Sequence, residues 1–329
     1  MNSIERVSYA FVMSLLVVLE IILCIVLMSL CRKKPVESAE TLPVKIPAKA
    51  YPLTAIDVAT DSFNPRRVLA RGRFSTTYEA TMMEGEPVVV KRIHPSLVWM
   101  NGGLDFSTIV KTLSSAFHPN IVSIVGFSQG PGERIIVMER VSSLVSLDKY
   151  LHQSRIWVSP NEWQQRVTIA AGAARGLQYL HESIVPNIVH GSVKSSHVLL
   201  DDDLTAKVSG YGLSFLAPNE KKHPNGYVEV CKEGDVYGFG VVLLEILTGT
   251  MDENGMLVQW ALPLIREQKF EELIDHRLRG RTDSAQIARF AKVASSCVSN
   301  SRETRPTISQ VTSILTNLEH KVGQQLVNR

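Results

Sequence analysis

Residues 7–31, from Val7-Ser8-Tyr9-Ala10-Phe11 to Ser29-Leu30-Cys31, form a near-continuous apolar run that no small globular core would absorb. A helix rises about 1.5 Å per residue, so this run is long enough to cross a hydrocarbon core of about 30 Å with some tilt. Arg32, Lys33 and Lys34 follow at once, whereas only Glu5 and Arg6 precede it. That basic bias places the C-terminal side in the cytoplasm. A cleaved signal peptide is the competing reading, but it would have a shorter apolar stretch and small residues at a cleavage site rather than a basic cluster. The expected layout is a short extracytoplasmic tail (1–6), a transmembrane helix (7–31), a juxtamembrane linker (32–65), a folded domain (66–320) and a C-terminal tail (321–329). Glu20 lies near the middle of the run, where a carboxylate costs about 2.5–3.5 kcal/mol. Two readings stay open for it: pairing with a polar group of another membrane helix, or protonation and access to water.

The formal net charge of +3 over 329 residues gives no reason to expect nucleic acid as a partner. Cys24, Cys31, Cys231 and Cys297 have no CxxC or metal-ligand spacing and read as reduced thiols. Pro35, Pro43, Pro47 and Pro52 mark an extended linker. Residues 53–64 have helical periodicity, with Thr54 as the expected N-cap. From residue 66 the pattern changes to short β-branched runs at 67–70, 76–81, 87–93, 121–127 and 134–140, interrupted by a helical stretch near 103–116. After Leu147 the chain is mostly helical, with long helices expected over 161–181 and 235–248. A small antiparallel sheet followed by a helical half is an α+β arrangement.

The segment His190-Gly191-Ser192-Val193-Lys194-Ser195-Ser196-His197-Val198-Leu199-Leu200 resembles the catalytic loop of protein kinases, which reads H-R-D-L-K-x-x-N. Further motifs fall in family order. Ala59-Thr60-Asp61-Ser62-Phe63, Asp235-Val236-Tyr237-Gly238-Phe239-Gly240 and Arg305-Pro306-Thr307 are similar to plant receptor-like kinases, and Gln259-Trp260-Ala261-Leu262-Pro263-Leu264-Ile265 to their crinkly-type branch. The resemblance implies a two-lobed protein-kinase-like fold, a small sheet lobe and a larger helical lobe, behind a single transmembrane helix.

It also assigns each chemical position. The catalytic Asp falls on Ser192, the second magnesium ligand on His197, and the Asp of D-F-G on Gly210, in Gly210-Tyr211-Gly212. The glutamate of the C-helix falls on Ile109, one turn from Asp105, an alternative partner for a lysine. The phosphate-covering G-x-G-x-x-G reads Ala70, Gly72 and Ser75, and Gly72 alone would suit any turn between strands. Lys91, the V-A-I-K lysine, and Lys194 are retained, as is Leu199, the floor of the adenine slot. Thr77 and Val89 stand at its roof, where Val89 adds volume; overpacking of this kind costs about 1–3 kcal/mol. Leu113, Ile124, His190 and Tyr211 fall on the apolar spine, and Asp235 on the anchor of its base. Arg305 lacks its family partner, with Glu229 wrongly spaced to supply it.

Mg²⁺ wants hard oxygen ligands, which Gly210 and His197 do not provide. A serine hydroxyl at Ser192 is no base at neutral pH. The expectation is therefore a pseudokinase with no cofactor, with weak ATP binding left open and magnesium not expected. It would be anchored in a membrane, with the plasma membrane expected and the kinase-like domain in the cytoplasm. There it would act as a non-catalytic scaffold or allosteric partner of active receptor-like kinases or other membrane signalling proteins. A nucleotide-binding switch without transfer and an atypical, weakly active serine/threonine kinase are the alternatives.

Overall fold

The computed structural model describes residues 13, 15–21, 23, 48–72, 74–100, 105–152, 163–213, 231–252, 255–278 and 282–327. Two compact units are distinguished, residues 1–45 and 46–329. In the first, residues 13, 15–21 and 23 are helical and exposed. No helix among the described residues is long and apolar enough to cross a membrane, and the 7–31 run lies largely outside them.

The second unit begins with a strand and a helix, of which the sequence had suggested only the helix. Strand β1 (Lys49–Ala50) and helix α1 (Leu53–Ala59) precede β2 (Val68–Arg71), β3 (Ser75–Thr81) and β4 (Pro87–Ile93). Helix α2 (Pro95–Met100) and helix α3 (Phe106–Ser114) then lead to β5 (Ile124–Gly130) and β6 (Glu133–Glu139). These strands form one six-stranded sheet in the order β1-β5-β6-β4-β3-β2. It is antiparallel except at β1, which runs parallel to β5. Val88, Val89 and Val90 of β4 are all buried, as expected for a central strand covered on both faces. The boundary at residue 66 is therefore not a structural one: residues 46–65 belong to the folded body, because Ile56 and Ala59 of α1 bury against Tyr78, Val88, Val90, Ile135 and Val137 of the sheet. Thr54 does not cap α1; Pro52 occupies the N-cap, with no side-chain bond. Proline suits the start of a helix because it has no N–H to satisfy.

The helical lobe starts with β7 (Val145–Ser146), α4 (Leu147–His152) and α5 (Trp163–Gln178). Strands β8 (Val198–Leu200) and β9 (Ala206–Val208) join β7 in a three-stranded sheet. Helix α6 (Lys232–Thr248) is buried on most of its surface; α7 (Met256–Arg266) and α9 (Ser284–Cys297) pack against it, α8 (Phe270–Leu273) packs on α7 and α9, and α10 (Ile308–Val327) packs on α5 and α9. Because α10 runs to Val327, the body does not end at residue 320 either.

A buried ion cluster ties this lobe together. Arg166 of α5 donates to Ile246 O and Asp275 Oδ2, each at 2.6 Å, and Arg277 donates to both Asp275 oxygens and to Leu151 O. Burial alone would raise the Asp275 carboxyl, but hydrogen bonds from Arg277 and Arg166 outweigh it and hold it at about 2. Arg305 also finds partners: it donates to Glu233 O and Ser299 O, each at 2.9 Å, and lies over the Tyr237 ring. Among the described residues backbone carbonyls hold the guanidinium, and Glu229 lies outside them.

Removing the shared acceptor takes the Asp275 carboxylate away from the buried Arg166 and from Arg277. Asp275→Ala should lower unfolding free energy by about 3–5 kcal/mol in urea titration. The Asp275 contribution should also fade as pH falls from the ordinary carboxylate range towards 2, since the folded pKa is depressed, and the variant should lack that acid-dependent component.

Candidate functional site: the cleft between sheet and helical lobe

Lys91 projects from the middle of β4, where its backbone pairs with Thr77 of β3 and Ile136 of β6. It is only 9% exposed, and among the described residues it makes no ion pair. Burial first, and the nearby Lys194 second, push its pKa down to about 8. A buried ammonium normally needs a carboxylate to offset its desolvation.

The facing helix supplies none. In α3, Phe106, Val110 and Leu113 form a buried stripe at helical spacing, and Ile109 packs against the same apolar cluster. Asp105 is not the substitute partner of Lys91. It caps α3, accepting from Thr108 N at 3.2 Å and Ser107 Oγ at 3.0 Å, and it is exposed. An N-cap satisfies an otherwise orphaned helix N–H, so this carboxylate is committed locally.

The other wall is built by the segment after α5. Asp235, buried in α6, accepts from the backbone N–H groups of His190 and Gly191, each at 2.7 Å, and meets His181 Nε2 at 2.8 Å. His190 Nε2 donates to Ser209 O at 3.0 Å, while its Nδ1 accepts from Ser192 N. Burial lowers its pKa to about 4, so the ring is neutral. The His197 ring stacks against it, with centroids 5.7 Å apart. His197 Nδ1 donates to Ser192 O at 2.7 Å, which leaves Nε2 as a bare lone pair in the neutral ring. Burial, then His190, Lys91 and Lys194, hold its pKa well below the usual imidazole value.

Gly210 joins these groups. A Cβ there would stand 3.5 Å from His197 Nε2 and 3.5 Å from Lys91 Nζ. Its φ of +77° is also one that side chains adopt rarely. The structure thus brings Lys91, His197 and Gly210 to one point, with Lys194 exposed but electrostatically felt by both Lys91 and His197. Ser192 is exposed at the rim. No group of three or more His, Cys, Asp or Glu side chains among the described residues is arranged to hold a metal ion.

Apolar packing joins the two walls of the cleft. Leu113, Ile124 and Tyr211 are buried in one apolar cluster, and a Cβ on Gly212 would lie 2.3 Å from Leu113 Cδ2. The Tyr211 hydroxyl donates to Val122 O at 3.1 Å. Leu199 shares the cluster with Leu69, Val89, Met138 and Val141, so the slot between roof and floor is lined without polar side chains from these positions.

One residue was missed. Gly72 N–H donates to Ser75 O at 2.9 Å, closing the β2–β3 hairpin, and Phe74 at its tip packs with Ile93, Leu97, Val98 and Leu213. Its aromatic character was the available signal, but nothing in the sequence tells where a loop tip lands.

A sheet lobe and a helical lobe, with a lysine on the central strand facing a loop anchored from a buried helix, define a protein-kinase-like domain. Residues 63–315 match the protein tyrosine and serine/threonine kinase family. The chain belongs to that family, as a protein kinase domain of the plant receptor-like kinase group. It is 33% identical over 300 residues to STRUBBELIG-receptor family 5 of Arabidopsis thaliana, covering 85% of this chain and 42% of that protein. It is 35% identical over 292 residues to the receptor-like serine/threonine-protein kinase ALE2 of the same plant, covering 81% and 38%. The chain thus spans about two-fifths of the length of these relatives. The solved pseudokinase domain of BIR2, an immune regulator of the RLK/Pelle family, is similar at a TM-score of 0.68 and 30% identity, over 82% of this chain and 87% of that one.

An unpaired buried ammonium opposes folding. Lys91→Met should raise unfolding free energy by about 1–3 kcal/mol rather than lower it. The parent should gain stability as pH rises from about 8 towards 10.5, because the folded state releases its proton first, and the variant should not. Urea unfolding at pH 7 and pH 10 reads both effects.

Proposed function

We propose that this chain is a pseudokinase of the receptor-like type, of the crinkly-type branch on the strength of its Gln259–Ile265 segment, that acts by contact rather than by phosphoryl transfer. The observation that carries the reading is the meeting of Lys91, His197 and Gly210 with no carboxylate among them. By the family's motif positions, Ser192 stands in place of the proton acceptor, His197 and Gly210 in place of the magnesium ligands, and Ile109 in place of the partner of Lys91. Positioned acid–base groups contribute about 10²–10⁴-fold, and the charge on a transferring phosphoryl group needs neutralising by metal or cationic groups at fixed geometry. Losing all these groups together leaves the packed frame as the working part.

The partners of this reading are active receptor-like kinases or other membrane signalling proteins, met at a membrane to which residues 7–31 anchor the chain as a single-pass helix. Its support is the sequence of that run and the similarity to a pseudokinase described as an immune regulator. Nucleotide binding without transfer is the second reading, favoured by Lys91 and Lys194, two cations at the phosphate end of the cleft.

Incubation of the full chain with radiolabelled ATP and Mg²⁺ or Mn²⁺, alone and with a general kinase substrate, should give no incorporation above that of a Lys91→Met control. Lys91-dependent self-phosphorylation would refute the reading. ATP-induced rise in Tm without incorporation would favour the nucleotide-binding form.

A further inference from the structure

The linker is built into the sheet at the point where it can hold α3. Lys49 and Ala50 pair in parallel with Gly126 and Phe127, and Tyr51 N–H continues the ladder to Phe127 O at 2.8 Å. A Cβ on Gly126 would lie 2.3 Å from the Tyr51 ring and 2.7 Å from Lys49 O, so glycine is what lets the added strand lie flat. One residue earlier, Ala48 is buried in the same apolar cluster as Phe106, Val110 and Leu113 of α3. Its N–H donates to Ser114 Oγ at 3.2 Å, and the Ser114 hydroxyl donates in turn to Lys111 O at 2.7 Å. The last turn of α3 is therefore fastened to residue 48.

On its sheet-facing side α3 has no polar tie to β4, because Lys91 makes no ion pair among the described residues. Its far contact is Leu113, whose side chain fills the space beside Gly212 that a Cβ would need. Gly212 N–H donates to His190 O at 3.1 Å, so the chain of contacts runs from Ala48 through Ser114 and Leu113 to the loop that Asp235 anchors.

We infer that the strand Ala48–Tyr51 is a latch that sets the position of α3, taking over the control that a lysine–carboxylate pair across the cleft would otherwise exert. Anything that draws the chain away on the N-terminal side of residue 48 would peel β1 from β5. That would free Ser114 and loosen the Leu113–Gly212 contact. The signal enters from the linker and leaves at the cleft loop. It needs neither nucleotide nor metal, so it stands whether or not the cleft transfers phosphate.

Hydrogen exchange of the full chain, followed by mass spectrometry, tests this with two mild variants, Ser114→Ala and Tyr51→Ala. Both should speed exchange in peptides covering 106–116 and 209–213 by roughly 3- to 10-fold, while peptides from α9 keep the parent rate. Unchanged rates in 106–116 would overturn the latch. So would an equal acceleration in α9, because the effect would then be general loosening. As a check on direction, Lys91→Met should not accelerate exchange in 106–116; acceleration there would show that Lys91, not the linker, holds α3.

Discussion

The geometry of the cleft depends on one carboxylate placed inside an apolar helix. Asp235 is 2% exposed, yet it takes two backbone N–H groups and one imidazole within 2.8 Å. Those bonds offset its desolvation and fix the backbone of His190 and Gly191 against α6. From that fixed point the rest is determined: the His190 ring reaches Ser209, the His197 ring stacks on it, and Gly210 is delivered beside Lys91. The frame persists because it is held by packing and by hydrogen bonds to this one buried carboxylate, which ask nothing of the residues that would perform chemistry.

Among the described residues, the charges at the meeting point of Lys91, His197 and Gly210 are of one sign. Lys91 and Lys194 are cations, and the two histidines are held neutral by burial. A divalent ion entering here would meet repulsion and one nitrogen lone pair, in place of the oxygen shell that magnesium requires. An isolated lysine would be a liability in an evolving core. With its pKa pushed down to about 8, Lys91 still carries its charge for the most part at neutral pH and sheds it only as the pH rises above that value.

Much of this was legible beforehand. Strands β3, β4 and β6 declared themselves through β-branched runs, and α3 and α6 through helical apolar spacing. Ser192, His197 and Gly210 could be named because the surrounding motifs fix the count between them. Two things were not legible. Residues 32–52, with their four prolines, read as extended linker, and an extended chain is also what the short added strand at 49–50 looks like; only the gap above Gly126 and the buried Ser114 hydroxyl decide which it is. Asp105 offered a carboxylate at helical distance from Ile109, but its position just before Phe106 made capping the nearer use. Sequence spacing gives proximity, whereas hydrogen-bond bookkeeping decides where a polar group is spent.

The most direct measurement is anomalous diffraction at the manganese edge from crystals soaked with ATP and Mn²⁺. The account predicts no manganese peak within coordination distance of Gly210, His197 or Lys91. An ordered triphosphate with a coordinated manganese ion between the lobes would contradict it.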